Sequence, residues 1–124
     1  MSENSDTNPW TDRVGPVYTA DGAARALGVD VAALPRERML ELVTADGVTV
    51  YPIWQFVDGQ VDPTVTEIVR ILAPVAATAW SIAWWATGRR PLLDDHTVPE
   101  WLAGGGRSET VLVDARQTAS HWAQ

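Results

Sequence analysis

Tyr51 to Pro63 reads YPIWQFVDGQVDP, and the fold turns on how these residues are assigned. Asp58–Gly59 is a two-residue hairpin signal that pairs Val57 with Gln60. Asp62 is a good helix cap, and Pro63 suits the first helical position, where its missing N–H is not needed. Pro52 cannot donate to a β-ladder, so the strand through it must kink or lie at an edge. Alternation of strand side chains then puts Trp54 and Phe56 on one face. Crowded with Tyr51, these rings fasten the hairpin to whatever packs beneath it, or they meet a ligand or partner; both readings stand. Upstream, Asp46–Gly47 is a second hairpin signal, pairing Ala45 with Val48 and Val43 with Val50.

Further toward the N-terminus, Thr19 caps a short helix with Ala23, Ala24 and Leu27 inward, and Gly28 ends it. Asp30 is placed to cap a second helix, VAALPRER, weakened by Pro35. Helix, tight turn and helix give a helix-turn-helix outline. After Pro63 the pattern is helical. Val65, Ile68, Val69 and Leu72 form a buried stripe, and a helix between Pro74 and Gly88 sets Trp80 and Trp84 one turn apart. Thr97 to Glu100 is a capping box opening a helix that Gly104 ends, and Gly104–Gly106 reads as a flexible joint. A last helix from Ser108 lines up Val111, Ala115, Ala119 and Trp122. The expected architecture is mainly α with a small β-hairpin. A disordered arm (1–16, with Trp10 as an anchor) leads into a degenerate helix-turn-helix with hairpin (17–62). A compact helical segment (63–124) follows, the whole forming one unit.

The chain has 124 residues, 46% apolar and 20% charged, which suits one domain with a real core. Most of its seven tryptophans are expected to fill the core, and one or two are expected at a partner surface. The net charge is −7 and every basic residue is arginine; this disfavours nucleic acid and anionic membranes. Cysteine is absent, which excludes disulfides and permits a reducing cytoplasm, and the polar, acidic start lacks the features of a signal peptide. Ile71 to Thr87 carries no charge, yet it is short, alanine-rich and broken at Pro74, so two buried helices are expected rather than a membrane span.

Enzyme chemistry finds no footing. Asp94, Asp95 and His96 are consecutive loop residues, which rarely converge on one metal ion. Asp114, Ser120 and His121 are triad residue types, but Ser120 and His121 point about 100° apart on a helix. The triple glycine lacks the lysine of a phosphate-binding loop. A protein without catalytic residues, metal or cofactor is expected. DNA binding is the alternative, through Arg36 and Arg38 on the second helix. Against it, Met1 to Asp62 holds four arginines and ten carboxylates, a net of −6.

Tyr51, Pro52, Trp54, Gln55, Phe56 and Gly59, then Trp80 and Trp84, then Leu93, Pro99, Leu102 and Gly104, occur in an order and spacing that resembles the Xre/MbcA/ParS-type antitoxins from about Tyr18 onward. The resemblance implies an antitoxin that inhibits a RES-domain, NAD-degrading toxin by covering its active-site cleft with its C-terminal part. It implies a neighbouring-gene toxin as partner, a homodimer or hetero-oligomer with that toxin, and in many members repression of the antitoxin's own operon. Carried onto this chain, the toxin-binding surface falls on Thr97 to Gln124, with Trp101, Arg107, Arg116, His121 and Trp122 as its residues.

Overall fold

The computed structural model of the chain describes residues 13–124; residues 1–12 of the expected arm, with Trp10, lie outside them. The fold is mainly helical with a small antiparallel sheet. Strand β1 (Val17–Thr19) leads into α1 (Ala20–Leu27), and β2 (Leu42–Val43) and β3 (Thr49–Pro52) follow. A two-stranded ribbon, β4 (Phe56–Val57) and β5 (Gln60–Val61), precedes α2 (Pro63–Leu72), α3 (Ala79–Ala86), α4 (Val98–Ala103) and α5 (Ser108–Trp122). The larger sheet has the order β1-β3-β2, so β1 adds a third strand to the expected hairpin.

Local signals place most helix ends. Thr19 Oγ1 accepts from Gly22 N at 3.3 Å, and Gly28 closes α1 in the left-handed region. Asp62 accepts from Thr64 N at 2.9 Å with Pro63 in the first turn, and Thr97 and Glu100 complete a capping box. Asp58 and Gly59 both adopt positive φ, and Val57 pairs with Gln60 as the turn residues require.

Four expectations are corrected. The helix expected over Val31–Arg38 is two single 3-10 turns, Val31–Ala33 and Arg36–Arg38. Pro35 forces Leu34 into extended backbone (ψ 131°), and Asp30 makes no cap hydrogen bond. The hairpin register is shifted by one residue, with Leu42 opposite Val50 and Val43 opposite Thr49. A three-residue loop, Ala45–Gly47, makes the turn: Thr44 N donates to Val48 O at 2.9 Å, and Gly47 has φ 82°. Burial decides between the registers, because one step exchanges the two faces. Leu42 is 0% exposed and Val43 is 54% exposed, and the expected register would surrender about 2 kcal/mol of leucine burial.

Trp54 and Phe56 do not share a face. Ile53–Gln55 is a 3-10 turn, so alternation is broken: Trp54 packs on the main core, Phe56 on a second cluster beside Tyr18. Finally, the arm does not extend to residue 16. Val14 is 2% exposed within the main core.

That core joins Val14, Leu40, Leu42 and Val50 to residues of α2, α3, α4 and α5, so the segments before and after Asp62 form one unit. The smaller cluster beneath α1 holds Ala23, Ala24, Leu34, Met39 and Tyr51. Helices α2 and α5 start together, with the hydroxyls of Thr64 and Ser108 2.8 Å apart. The glycine joint before α5 is clasped rather than loose. Trp101 Nε1 donates to Arg107 O at 2.9 Å, Gly106 N donates to Trp101 O at 2.8 Å, and a Cβ on Gly106 would overlap the Trp101 ring. Between α2 and α3 the chain is non-helical from Ala73 to Thr78, and among the described residues no helix is long and apolar enough to cross a membrane.

Tyr51 is fully buried, and its hydroxyl donates to Glu41 Oε2 at 2.6 Å. Burial first, and this hydrogen bond second, push the phenol up to about 12. The neutral ring is therefore favoured by folding, and its stabilisation is complete below pH 10 and lost as pH rises toward 12. Thermal melts should show a fall over this window that Tyr51→Phe lacks, while the variant loses about 1 kcal/mol at neutral pH with its hydrogen bond. Superimposable alkaline profiles would contradict this account.

Candidate functional site

The strongest concentration of binding chemistry lies where α3, the loop after it and the end of α5 meet. The alanine-rich α3 is apolar on most of its circumference and buries Ile82, Ala83, Trp85 and Ala86, leaving Trp84 partly open at its C-terminal turn. Arg13 lies across Trp84, its guanidinium carbon 3.5 Å from the ring centroid. Arg13 Nη2 donates to Trp84 O at 2.6 Å and Nε to Thr87 Oγ1 at 3.3 Å. Gly88 makes room for this arginine, because a Cβ there would collide with Nη2.

Arg90, just beyond, extends toward α5. Its Nε donates to Asp114 Oδ2 at 2.7 Å and Nη2 to Asp114 Oδ1 at 3.4 Å, while its guanidinium sits 4.8 Å from the Trp85 centroid. Asp114 occupies a buried position between Val111 and Ala115, and the pair is the least exposed ion pair among the described residues, at 23% for Arg90 and 7% for Asp114. Trp85 Nε1 donates to Thr118 Oγ1 at 2.9 Å, which fixes that indole as well. Burial, and then the charge of Arg90, lower the Arg13 pKa from the usual arginine value. Both remain cations, so the two charges press on one another.

These side chains line a cleft of about 600 Å³ bounded by Arg13, Ser81, Trp84, Trp85, Arg90 and Trp122. Beside it, a trough of about 390 Å³ shares Trp85, Arg90 and Trp122 and adds Asp114, Gln117, Thr118 and His121. A separate groove of about 460 Å³ lies on the helix-turn-helix side, between Leu27, Val29, Pro35, Arg38, Val61 and Glu67. It offers one arginine, one carboxylate and no aromatic ring.

Of the residues expected to bind a toxin, the cleft gathers His121 and Trp122. Trp101 is the clasp of the α4–α5 turn, Arg107 is exposed at the start of α5, and Arg116 is exposed 3.7 Å from Glu109. Arg107 and His121 are about 21 Å apart along the helix. The aromatic motif divides by role. Tyr51 is core; Trp54 Nε1 donates to Val14 O at 3.2 Å; Phe56 packs on Tyr18; Trp80 Nε1 donates to Val43 O at 2.8 Å; Trp84 belongs to the cleft. Arg38 is exposed, and Arg36 pairs with Glu41 at 3.1 Å. Asp94, Asp95 and His96 are exposed, with His96 Nδ1 3.0 Å from Leu93 O.

Sequence reasoning missed Arg13, Trp85, Arg90 and Asp114. One signal for the pair was present: Asp114 falls on the apolar stripe of α5, and a carboxylate there requires a cation. Nothing local marks Arg13, which reaches Trp84 across 71 positions of sequence. Comparison with protein-family models, curated proteins and solved structures returns no match for this chain.

Proposed function

We propose that the chain is an antitoxin that binds and inhibits a RES-type, NAD-degrading toxin, and has no catalysis of its own. The observation that carries the reading is the Arg–Trp cleft at the C-terminal half of an otherwise acidic chain. Tryptophan and arginine dominate the energetics of protein interfaces, because they bring large rigid area and directional charge together. Inhibition by occlusion asks for such a surface, presented on a rigid body, and for no reactive group. The resemblance of the YPIWQF and W…WW motifs to antitoxins supports the same reading, with the protein acting in the cytoplasm as a complex with its toxin.

The inner face of α5 is committed to the core through Val111 and Ala115, so the helix does not swing out to fill a toxin's cleft. Occlusion falls instead to the outer face and end of α5, with His121 and Trp122, joined to the neighbouring cleft wall. Deleting the chain after Gly106 would remove core residues and unfold the protein, so point variants are the proper test. Trp122→Ala should weaken a copurifying toxin by about tenfold or more, as a central tryptophan does, and should fail to rescue growth when the toxin is expressed. Full rescue and equal affinity would overturn the reading.

The second reading is a DNA-binding regulator. It draws on the Thr19-capped α1 and the left-handed Gly28 turn, the first half of a helix-turn-helix. It requires a retarded band with its own promoter DNA at low salt, which the 3-10 turns and the Arg36–Glu41 pair in place of a recognition helix disfavour.

A further inference from the structure

We propose that the cleft between α3 and the end of α5 receives an acidic segment of a partner protein. A carboxylate of that segment is gripped by the outer edges of the Arg13 and Arg90 guanidiniums, and its apolar neighbours rest on Trp122. The proposal rests on the reading of the chain as a partner-binding protein and specifies what such a partner must offer.

Charge complementarity is the first argument. Among the described residues, Arg13 and Arg90 on the cleft wall face one carboxylate, Asp114 of the adjoining trough, so they leave a local excess of positive charge on a chain of net −7. The two cations are held in the same cleft although they repel, and an anion between them removes that cost. Donor geometry is the second. A guanidinium has five N–H groups. Arg90 spends Nε and Nη2 on Asp114, and Arg13 spends Nε and Nη2 on Thr87 and Trp84. In the hydrogen bonds among the described residues, Nη1 of both arginines is unused, which leaves each with an outer edge suited to a second carboxylate. Both side chains are already immobilised, so little entropy is lost when that edge is taken.

The shape favours a peptide over a small ion. The trough beside Gln117 and His121 shares Trp85, Arg90 and Trp122 with the cleft, giving two adjoining spaces for successive side chains. The Trp122 indole beside a charged grip suits acidic residues alternating with apolar ones.

The test uses the full chain and short acetylated peptides in which glutamate alternates with leucine. Glutamine-for-glutamate versions of the same peptides and free glutarate are the comparison probes. Binding is followed by calorimetry and by the indole Nε1–H signals in NMR, assigned with single Trp→Phe variants. The acidic peptides should bind and shift the signal of Trp122. Arg13→Gln, and the paired change Arg90→Gln with Asp114→Asn that leaves no charge buried alone, should each weaken them about tenfold or more. Gly88→Ala, which displaces Arg13 without altering charge, should do the same. Equal binding of the glutamine peptides, insensitivity of a folded variant, or no binding at millimolar peptide would overturn the proposal. So would glutarate binding as tightly as peptide, which makes the cleft a small-molecule site. Binding only after Glu3→Gln, Asp6→Asn and Asp12→Asn would assign the cleft to the chain's own N-terminal segment and overturn it equally. A toxin that still copurifies with these variants leaves the antitoxin reading standing while the acidic-segment proposal falls.

Discussion

Arg90→Ala is expected to cost about 3–5 kcal/mol, the range for stranding one member of a buried ion pair. Asp114 would keep its carboxylate on the core side of α5 at 7% exposure, without the guanidinium that accepts it. Coulomb attraction is not the main term. The loss comes from a desolvated charge left without compensation, together with the packing of the arginine on Trp85. For a domain of this size the melting temperature should fall by roughly 10–20 °C. Replacing both partners at once, Arg90→Met with Asp114→Leu, should recover most of the loss, since an apolar pair of similar volume needs no solvation. Removing Arg70 from its exposed pair with Glu67 is the control and should leave the melt nearly unchanged. If Arg90→Ala melts with the wild type, Asp114 is reaching water by another route and the account of this pair is wrong.

Gln55→Leu is the second large expectation. Gln55 is 0% exposed. Its Oε1 accepts from Leu40 N at 2.7 Å, and its Nε2 donates to Leu40 O at 2.9 Å and Pro52 O at 3.2 Å. One side chain thus completes the backbone of the segment entering β2, which the sheet itself does not pair at Leu40. Leucine matches the volume and offers neither donor nor acceptor, so buried backbone groups lose the partners they have among the described residues. Each such group costs about 1–3 kcal/mol, and a loss of roughly 3 kcal/mol or more is expected in urea unfolding. Hydrogen exchange at the Leu40 amide should accelerate well beyond the global change in stability. Unchanged protection at Leu40 would show that another acceptor serves it.

These two residues mark where local reasoning ends. Helix ends were legible because a cap is a contact between near neighbours: Thr19 with Gly22, Asp62 with Thr64, Thr97 with Glu100. The Asp58–Gly59 turn was legible for the same reason. The hairpin at Asp46–Gly47 was located correctly but given the wrong register, because turn chemistry alone does not choose between a two- and a three-residue loop. The alternation of Leu40 and Leu42, both buried, held the answer. The second helix of the helix-turn-helix failed where Pro35 overruled the apolar spacing around it. The candidate site was half legible. His121 and Trp122 were anticipated; Arg13 and Arg90 were not, since nothing in the spacing of residues tells which indole a distant guanidinium will cover.

The amino-acid sequence by itself determined the mainly helical character, the positions of most helix starts and the acidic balance. Each follows from composition or from interactions spanning a few residues. Tertiary structure alone decided that Arg13 crosses to Trp84, that Arg90 neutralises Asp114, that Gln55 completes Leu40, and that three of the indoles border a single cleft. Those arrangements depend on segments far apart in the chain being brought together by burial of a shared core. Hydrophobic burial is non-directional, so it sets which faces go inside without stating, residue by residue, what each polar group will meet there.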